Sequence, residues 1–374
     1  MSDAIDPSQL QDDLRLLRES VRALFERAGG VARARKTREV GDAWDPRLVT
    51  EMAEAGLFAA TVPQEAGGLG MGLVAAGVIA EEAGRVLAPE PVVPSIGLAI
   101  GLLRRLSPEH ALLAKALAGT TVLATAWQER DPKGLSDTLS CRLRNGALTG
   151  TKSWVAGAAA ASGILVVAAA SGGPVLALVD PDGRGVSLEK HRQSDGSALA
   201  ELHLSDASAE LLAKGPAVAQ ALEAAVSDTT ALAAAELVGV SAKALEITLD
   251  YIKTHEQFDK PIGSFQVIQH RAVDMYIMQE LAEAGVRDAL GLMDAAEIPR
   301  LRARQASRAK ARACTAAKKI TREAIQLHGA VGYTYEFDVG LFLNRALVLS
   351  AWLGDAAYHR RLWLEAREFE EIAQ

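Results

Sequence analysis

Cysteine is almost missing from this chain of 374 residues: Cys141 and Cys314 stand far apart with no CxxC spacing. That excludes a disulfide framework and a thiolate zinc site. The seven histidines include no HxxxH pair, so a helical metal motif is missing as well. Although 49% of the residues are hydrophobic, no uninterrupted apolar run reaches about 18 residues, and no membrane span is expected. The polar, acidic start MSDAIDPSQLQDDL lacks the basic-then-apolar order of a signal peptide, which leaves the cytoplasm as the expected compartment. A net charge of -7 argues against a nucleic-acid partner. The basic cluster from Arg300 to Arg322 falls on one predicted helix and reads as a solvated face, with a subunit contact or a cofactor phosphate as alternatives.

What is present is a chain too long for one core, with a helix, strand, helix order. Apolar residues recur at Leu10, Leu14, Leu17, Val21, Leu24 and Phe25, which is helical spacing. A further helix is expected after Asp45, with Pro46 at its first position and Leu48, Met52 and Leu57 on its buried side. The run TVPQEAGGLG, from Thr61 to Gly70, breaks it. No apolar strand leads into that run and its glycines do not fit GxGxxG, so it reads as a structural turn rather than a phosphate loop. Helical pattern resumes through Leu117. From Thr120 the runs 121–127, 163–170 and 174–179 are short and apolar, separated by turn signals at Asn145-Gly146, Gly172-Gly173 and Asp180 to Gly185. They predict a small antiparallel sheet or barrel. After Gly215 the pattern is helical to the end, and the leg from Ala217 to Thr254 would make a rod of roughly 55 Å. Such a rod needs partners on several sides, so an oligomer is expected. The expected division is an N-terminal helical domain (1–119), a middle β domain (120–215) and a C-terminal helical bundle domain (216–374).

The segment Tyr251 to Met275, YIKTHEQFDKPIGSFQVIQHRAVDM, has the order of residues that suits a turn between two long helices holding a dinucleotide. It resembles the acyl-CoA dehydrogenase run Tyr, three residues, Arg-x-Gln-Phe-Gly-x-Pro-Ile-Gly-x-Phe-Gln. Tyr251, Gln257, Phe258, Pro261, Ile262, Gly263, Phe265 and Gln266 match, whereas His255 stands for the Arg and Asp259 for the Gly. Other blocks are similar to that family and come in its order. LFAATVPQEAGGLG (57–70) resembles its Pro-Glu-x-x-Gly-Gly block, GTKSWVAG (150–157) its Gly-x-Lys-x-Trp-Ile-Thr-Asn strand, and QLHGAVGYTYE (326–336) its Gln-x-x-Gly-Gly block. The 254–275 run and the ending LGDAAYHR are most similar to small subunits of two-gene enzymes such as pimeloyl-CoA dehydrogenase.

The resemblance implies a mostly α fold with a central β domain: an N-terminal helical domain, a middle β-barrel or sheet, and a C-terminal four-helix bundle. It also implies FAD as cofactor, an acyl-CoA thioester as substrate of α,β-dehydrogenation, and an electron-accepting flavoprotein as partner. Such a reaction needs a carboxylate base at the α-carbon and donors for the developing enolate. The family's usual Glu position falls on Leu353, which offers backbone only, and its alternative position on Thr229, 26 residues before His255, followed by Thr230. Two carboxylates stand nearby as substitutes. Asp355 is one, with a helix cap as its plain reading; Glu236, seven residues beyond Thr229 on the same helical face, is the other.

By the same resemblance the cofactor-binding positions are Trp127, Gln128, Ser136, Trp154, His255, Phe258, Gln326 and Gly329. Several depart from the pattern. AWQER (126–130) stands for a Thr-Glu-Pro-Gly-Ala-Gly-Ser loop, of which Glu129 and Ser136 match; Ala156 replaces a Thr near flavin N5, and Ala330 a Gly. His255 weakens the pyrophosphate contact, because neutral imidazole offers one donor where guanidinium offers a charged fork. The plain alternatives are a core aromatic for Trp154 and packing beneath the turn for Phe258. Two functions stay open: a homodimeric or tetrameric FAD-dependent acyl-CoA dehydrogenase, or a catalytically silent subunit completing the site of a catalytic paralogue in an α2β2 heterotetramer.

Overall fold

The computed structural model describes residues 7–40, 44–130, 139–296 and 298–372. Helices α1 (Pro7–Arg27) and α2 (Val31–Val40) precede α3 (Pro46–Glu54). The start of α3 follows its sequence: Asp45 accepts a hydrogen bond from Arg47 N at 2.9 Å, and Pro46 sits in the first turn, where no N–H is needed. Residues 61–70 are a turn, with Gly67 and Gly70 at φ +81° and +64°. Helix α4 (Gly72–Arg85) follows. A π-helical stretch, Pro94–Ile100, runs into α5 (Gly101–Leu106), and α6 (Ala111–Leu117) closes this helical part.

Strands β1 (Leu123–Ala126), β2 (Arg142–Arg144), β3 (Ala147–Ala156), β4 (Gly163–Ala170), β5 (Gly173–Val179), β6 (Val186–Arg192), β7 (Ala198–Ser208) and β8 (Glu210–Lys214) form one sheet. Its order is β6-β7-β3-β2-β4-β5-β8, with β1 beside β4. The sheet differs from the antiparallel expectation in one respect: β1 and β2 pair parallel to β4. The chain reaches β4 only after the β2–β3 hairpin, a connection long enough for parallel pairing. The unbroken apolar run of β4 fits its burial from Gly163 to Ala168.

Helix α7 (Pro216–Thr254) is 39 residues long, close to the expected leg. A hairpin of β9 (Glu256–Gln257) and β10 (Lys260–Pro261) leads to α8 (Gln266–Ala295), α9 (Pro299–His328), α10 (Val339–Ala351) and α11 (Ala356–Ile372). Helices α8, α10 and α11 pack on α9. The stretch Val339–Ala366 is apolar enough on average for a membrane span, but it is two helices. They break at Leu353-Gly354, where φ is +62° and +105°, and the 13 residues of α10 reach about 20 Å, short of a bilayer core of about 30 Å.

Contacts group the chain into two compact units, one of residues 1–35, 73–88 and 230–374, the other of 36–72 and 89–229. Within the first, α4 and α7 touch backbone to backbone. A Cβ at Gly84 would run into Glu236 O, and one at Gly239 into Glu81 O, so only glycine allows this crossing. Buried Glu82 is matched there by Arg18 and Arg22, at 2.9 Å each. Within the second, Leu148, Val155, Ile164, Val166 and Leu202 form the sheet core. Asp228 of α7 is buried against Arg104 (3.1 Å) and Arg105 (2.6 Å) of α5. The basic run on α9 is not the uniformly solvated face its composition suggests, since Lys310 is fully buried.

Candidate functional site

The residues singled out from the sequence fall into two groups, one in each unit. In the sheet unit, β3 carries a bulge between Lys152 and Val155 in its pairing with β7. The bulge puts Trp154 at φ +55° and leaves its indole 45% exposed, between buried neighbours Ser153 and Val155. A non-glycine residue in the left-handed region is strained, and such strain gathers at functional positions. Trp154 is therefore not a core aromatic. Beside it, residues 127–129 are pinned to β3 at successive positions. Lys152 Nζ, wholly buried, donates to Trp127 O (3.3 Å) and Glu129 Oε1 (2.7 Å), and Ser153 N donates to Gln128 O (2.9 Å). Glu129 also accepts from Ser140 N and Oγ and from Cys141 N. Burial alone would raise its pKa, but Lys152 and Ser140 hold it down to about 2. The hydroxyls of Thr125 and Ser153 are buried without a hydrogen-bond partner among the described residues. Ser136 lies outside the described residues.

In the helical unit, the β9–β10 hairpin turns on Phe258 (φ +55°) and Asp259 (φ +63°), both left-handed, as a two-residue type I′ turn demands. Asp tolerates that region better than most side chains. The turn leaves Phe258 84% exposed. Phe265 meets its ring only edge-on, at 6.2 Å, so Phe258 does not pack beneath the turn. His255 and the end of α9 are brought together by Tyr251. Its ring stacks on His255 (4.7 Å, 14°) and on His328 (4.3 Å, 25°). Gln326 and Gly329 are exposed beside His328; Gly329 has φ +65° and open space where a Cβ would stand. Ala330 is exposed.

The positions where a base would stand are closed or engaged. Thr229 is fully buried, donates to Ala225 O (2.6 Å), and lies against Gly97 so closely that a Cβ there would collide with it. Glu236 is buried and paired with Arg345 (Nε to Oε1 2.9 Å). Asp355 accepts from Tyr358 N at 2.8 Å and caps α11; this bond holds its carboxyl below the usual range, which weakens it as a base. Leu353 sits left-handed in a turn gripped by buried side chains. Lys310 Nζ donates to Trp352 O (2.6 Å) and Gly354 O (3.1 Å), and His359 Nε2 lies 3.0 Å from Leu353 O. The carbonyl only accepts, so His359 donates through Nε2 and takes a bond from Ser307 Oγ (3.1 Å) at Nδ1. Sequence reasoning missed Lys310 and His359; Lys310 was hidden in the basic run of α9.

Burial and the nearby Lys310 charge push His359 down to about 4. The neutral form is thus favoured in the folded state relative to an unfolded histidine near 6.5. The stabilisation is present above about pH 6.5 and lost as pH falls towards 4, by about 3 kcal/mol in all. His359→Gln should flatten the fall of the thermal midpoint over this interval, and an identical pH profile would show that His359 is not the group responsible.

The exposed indole of Trp154 in the sheet unit, and the exposed phenyl of Phe258 and the open backbone at Gly329 in the helical unit, are each the kind of group that a flat aromatic ring or a polar linker can contact. Comparison with known proteins narrows the reading. The acyl-CoA dehydrogenase N-terminal domain model matches residues 11–110 and the C-terminal domain model residues 218–366. Acyl-CoA dehydrogenase IpdE2 of Mycobacterium tuberculosis is 29% identical over 346 residues, 90% of this chain and 91% of that protein. Among solved structures, a variant of the Tcur3481-Tcur3483 steroid ACAD has TM-score 0.86 at 28% identity, covering 98% of this chain and 100% of that one. The ChsE4-ChsE5 complex from Mycobacterium tuberculosis has TM-score 0.83 at 25% identity, covering 100% and 99%. The chain belongs to the acyl-CoA dehydrogenase family, mostly helical with a central β-sheet and with FAD as the family cofactor.

Proposed function

We propose that this chain is an acyl-CoA dehydrogenase subunit that shares in binding FAD but supplies no base of its own, working in a heterotetramer with a paralogue that carries a catalytic Glu. The observation that carries this reading is the 352–354 turn. It is held in shape by Lys310 and His359, yet presents Leu353, and Asp355 beside it is spent on capping α11. Closure of Thr229 against Gly97 supports it from the alternative position. Bound FAD supplies the hydride acceptor for Cβ of the thioester. This chain's residues would do the rest that is not proton abstraction. Trp154 would offer a flat face, while His255 and Phe258 of the hairpin turn, with Gln326 and Gly329, would serve the dinucleotide of the neighbouring subunit, His255 as a donor to phosphate and Phe258 as a flat face. Kinship with the ChsE4-ChsE5 complex favours a heteromeric partner over a homomer. The same reading takes an acyl-CoA as substrate, a second flavoprotein as electron acceptor and the cytoplasm as compartment. It keeps the three-part division at 119/120 and 215/216.

The weakened phosphate contact gives a direct experiment. The chain purified alone should hold FAD at less than one per subunit after dialysis. His255→Arg should raise the affinity by about 1.5–3 kcal/mol, the worth of a charge-assisted hydrogen bond. Full, tightly held FAD in the wild-type chain, or no gain in the Arg variant, would count against the assignment of His255.

A further inference from the structure

Tyr251 lies between two imidazoles that belong to different helix ends. On one side is His255, at the end of α7 where Ile262 N returns to His255 O (2.9 Å) and closes the hairpin that carries Phe258. On the other is His328, the last residue of α9, between Gln326 and Gly329. Phe337 meets both rings edge-on or tilted, at 5.7 Å from Tyr251 and 5.2 Å from His328. Tyr251 Oη reaches His328 O at 3.4 Å. Arg35 secures the segment around Phe337 through Asp338 Oδ1 (2.6 Å). Gly332 lets the chain return over this stack, since a Cβ there would stand 2.8 Å from Ile325 O and 3.1 Å from His328 Cβ.

His328 does nothing by hydrogen bonding that would explain its place. Its Nδ1 donates to Ala324 O at 2.7 Å, a carbonyl of its own helix, so Nε2 of the neutral ring is a lone pair. That nitrogen is buried and has no partner among the described residues. Burial pushes its pKa below the ordinary range, and charge on His255 would push it further. An orphaned buried acceptor costs roughly 1–3 kcal/mol. What the ring does provide is a flat face at stacking distance.

We propose that Tyr251 and His328 are positioning residues: their stack locks the turn carrying His255 and Phe258 to the helix end carrying Gln326 and Gly329, so that the four present one dinucleotide-binding surface. This rests on the reading of that surface given above. The stack acts by ring contact, so a phenyl ring serves in either place and an aliphatic side chain does not.

FAD is titrated by fluorescence into the full chain in the oligomer in which it purifies, with the thermal midpoint recorded for each protein. Tyr251→Ala and His328→Ala should bind FAD about five- to tenfold more weakly, the worth of one aromatic pair, while Tyr251→Phe and His328→Phe stay within about twofold of the wild type. His328→Phe should not lower the thermal midpoint, because it removes the orphaned nitrogen. Should His328→Ala not fold, His328→Leu replaces it, filling the space without a flat face, with the same expected loss. The proposal is overturned if His328→Phe binds as weakly as the aliphatic variant, or if all the variants match the wild type. Phe258→Ala and His255→Arg separate the two failures. If they shift FAD affinity and the stack variants do not, only the positioning role fails; if they too leave it unchanged, the assigned surface itself is wrong.

Discussion

Replacing Lys152 by Met should destabilise the sheet unit by about 3–5 kcal/mol, the range for removing one partner of a buried ion pair. Lys152 is wholly buried and its ammonium is shared between Glu129 and Trp127 O. Without it, the Glu129 carboxylate keeps the Ser140 and Cys141 donors among the described residues while its side chain stays mostly buried. Adding Glu129→Gln should recover part of the loss, because a neutral amide leaves no charge to bury. Chemical denaturation of the two single variants and the double variant closes a thermodynamic cycle. If Lys152→Met costs under about 1 kcal/mol and the second substitution recovers nothing, the pair is not what holds residues 127–129 to β3.

Much of the fold was legible because local chemistry and periodicity agreed. Asp45 followed by Pro46 is a helix start by itself, and the unbroken helical pattern after Gly215 gave the length of α7 to within a residue. The runs at 163–170 and 174–179 became β4 and β5. Parallel pairing of β1 with β4 was not legible, since an unbroken apolar run marks a strand buried on both faces, in a parallel sheet or a sandwich core alike, and does not identify its neighbour. Of the candidate site, the motif residues Trp154 and Phe258 were named, but the exposure of Trp154 comes from a bulge in the long-range β3–β7 pairing, and that of Phe258 from a left-handed turn at two positions that are not glycine. Lys310 was misread because its neighbours on α9 are basic. Only the packing of α10 and α11 on that helix shows that it faces three consecutive carbonyls with His359. The Tyr251–His328 stack joins residues 77 positions apart and left no trace in composition.

The claim that this chain has no base of its own is tested most directly by exchange of the acyl-CoA α-proton in deuterated water, which requires a base but no turnover of the flavin. The chain is saturated with FAD and assayed alone, then after co-purification with a paralogous subunit that carries a Glu at the position equivalent to Leu353. A positioned general base contributes about 10²–10⁴-fold, so the complex should exchange at least about a hundredfold faster than this chain, whose own rate should not change in Asp355→Asn. Exchange by the isolated chain at the rate of the complex, abolished by Asp355→Asn, would contradict the account and make Asp355 the base.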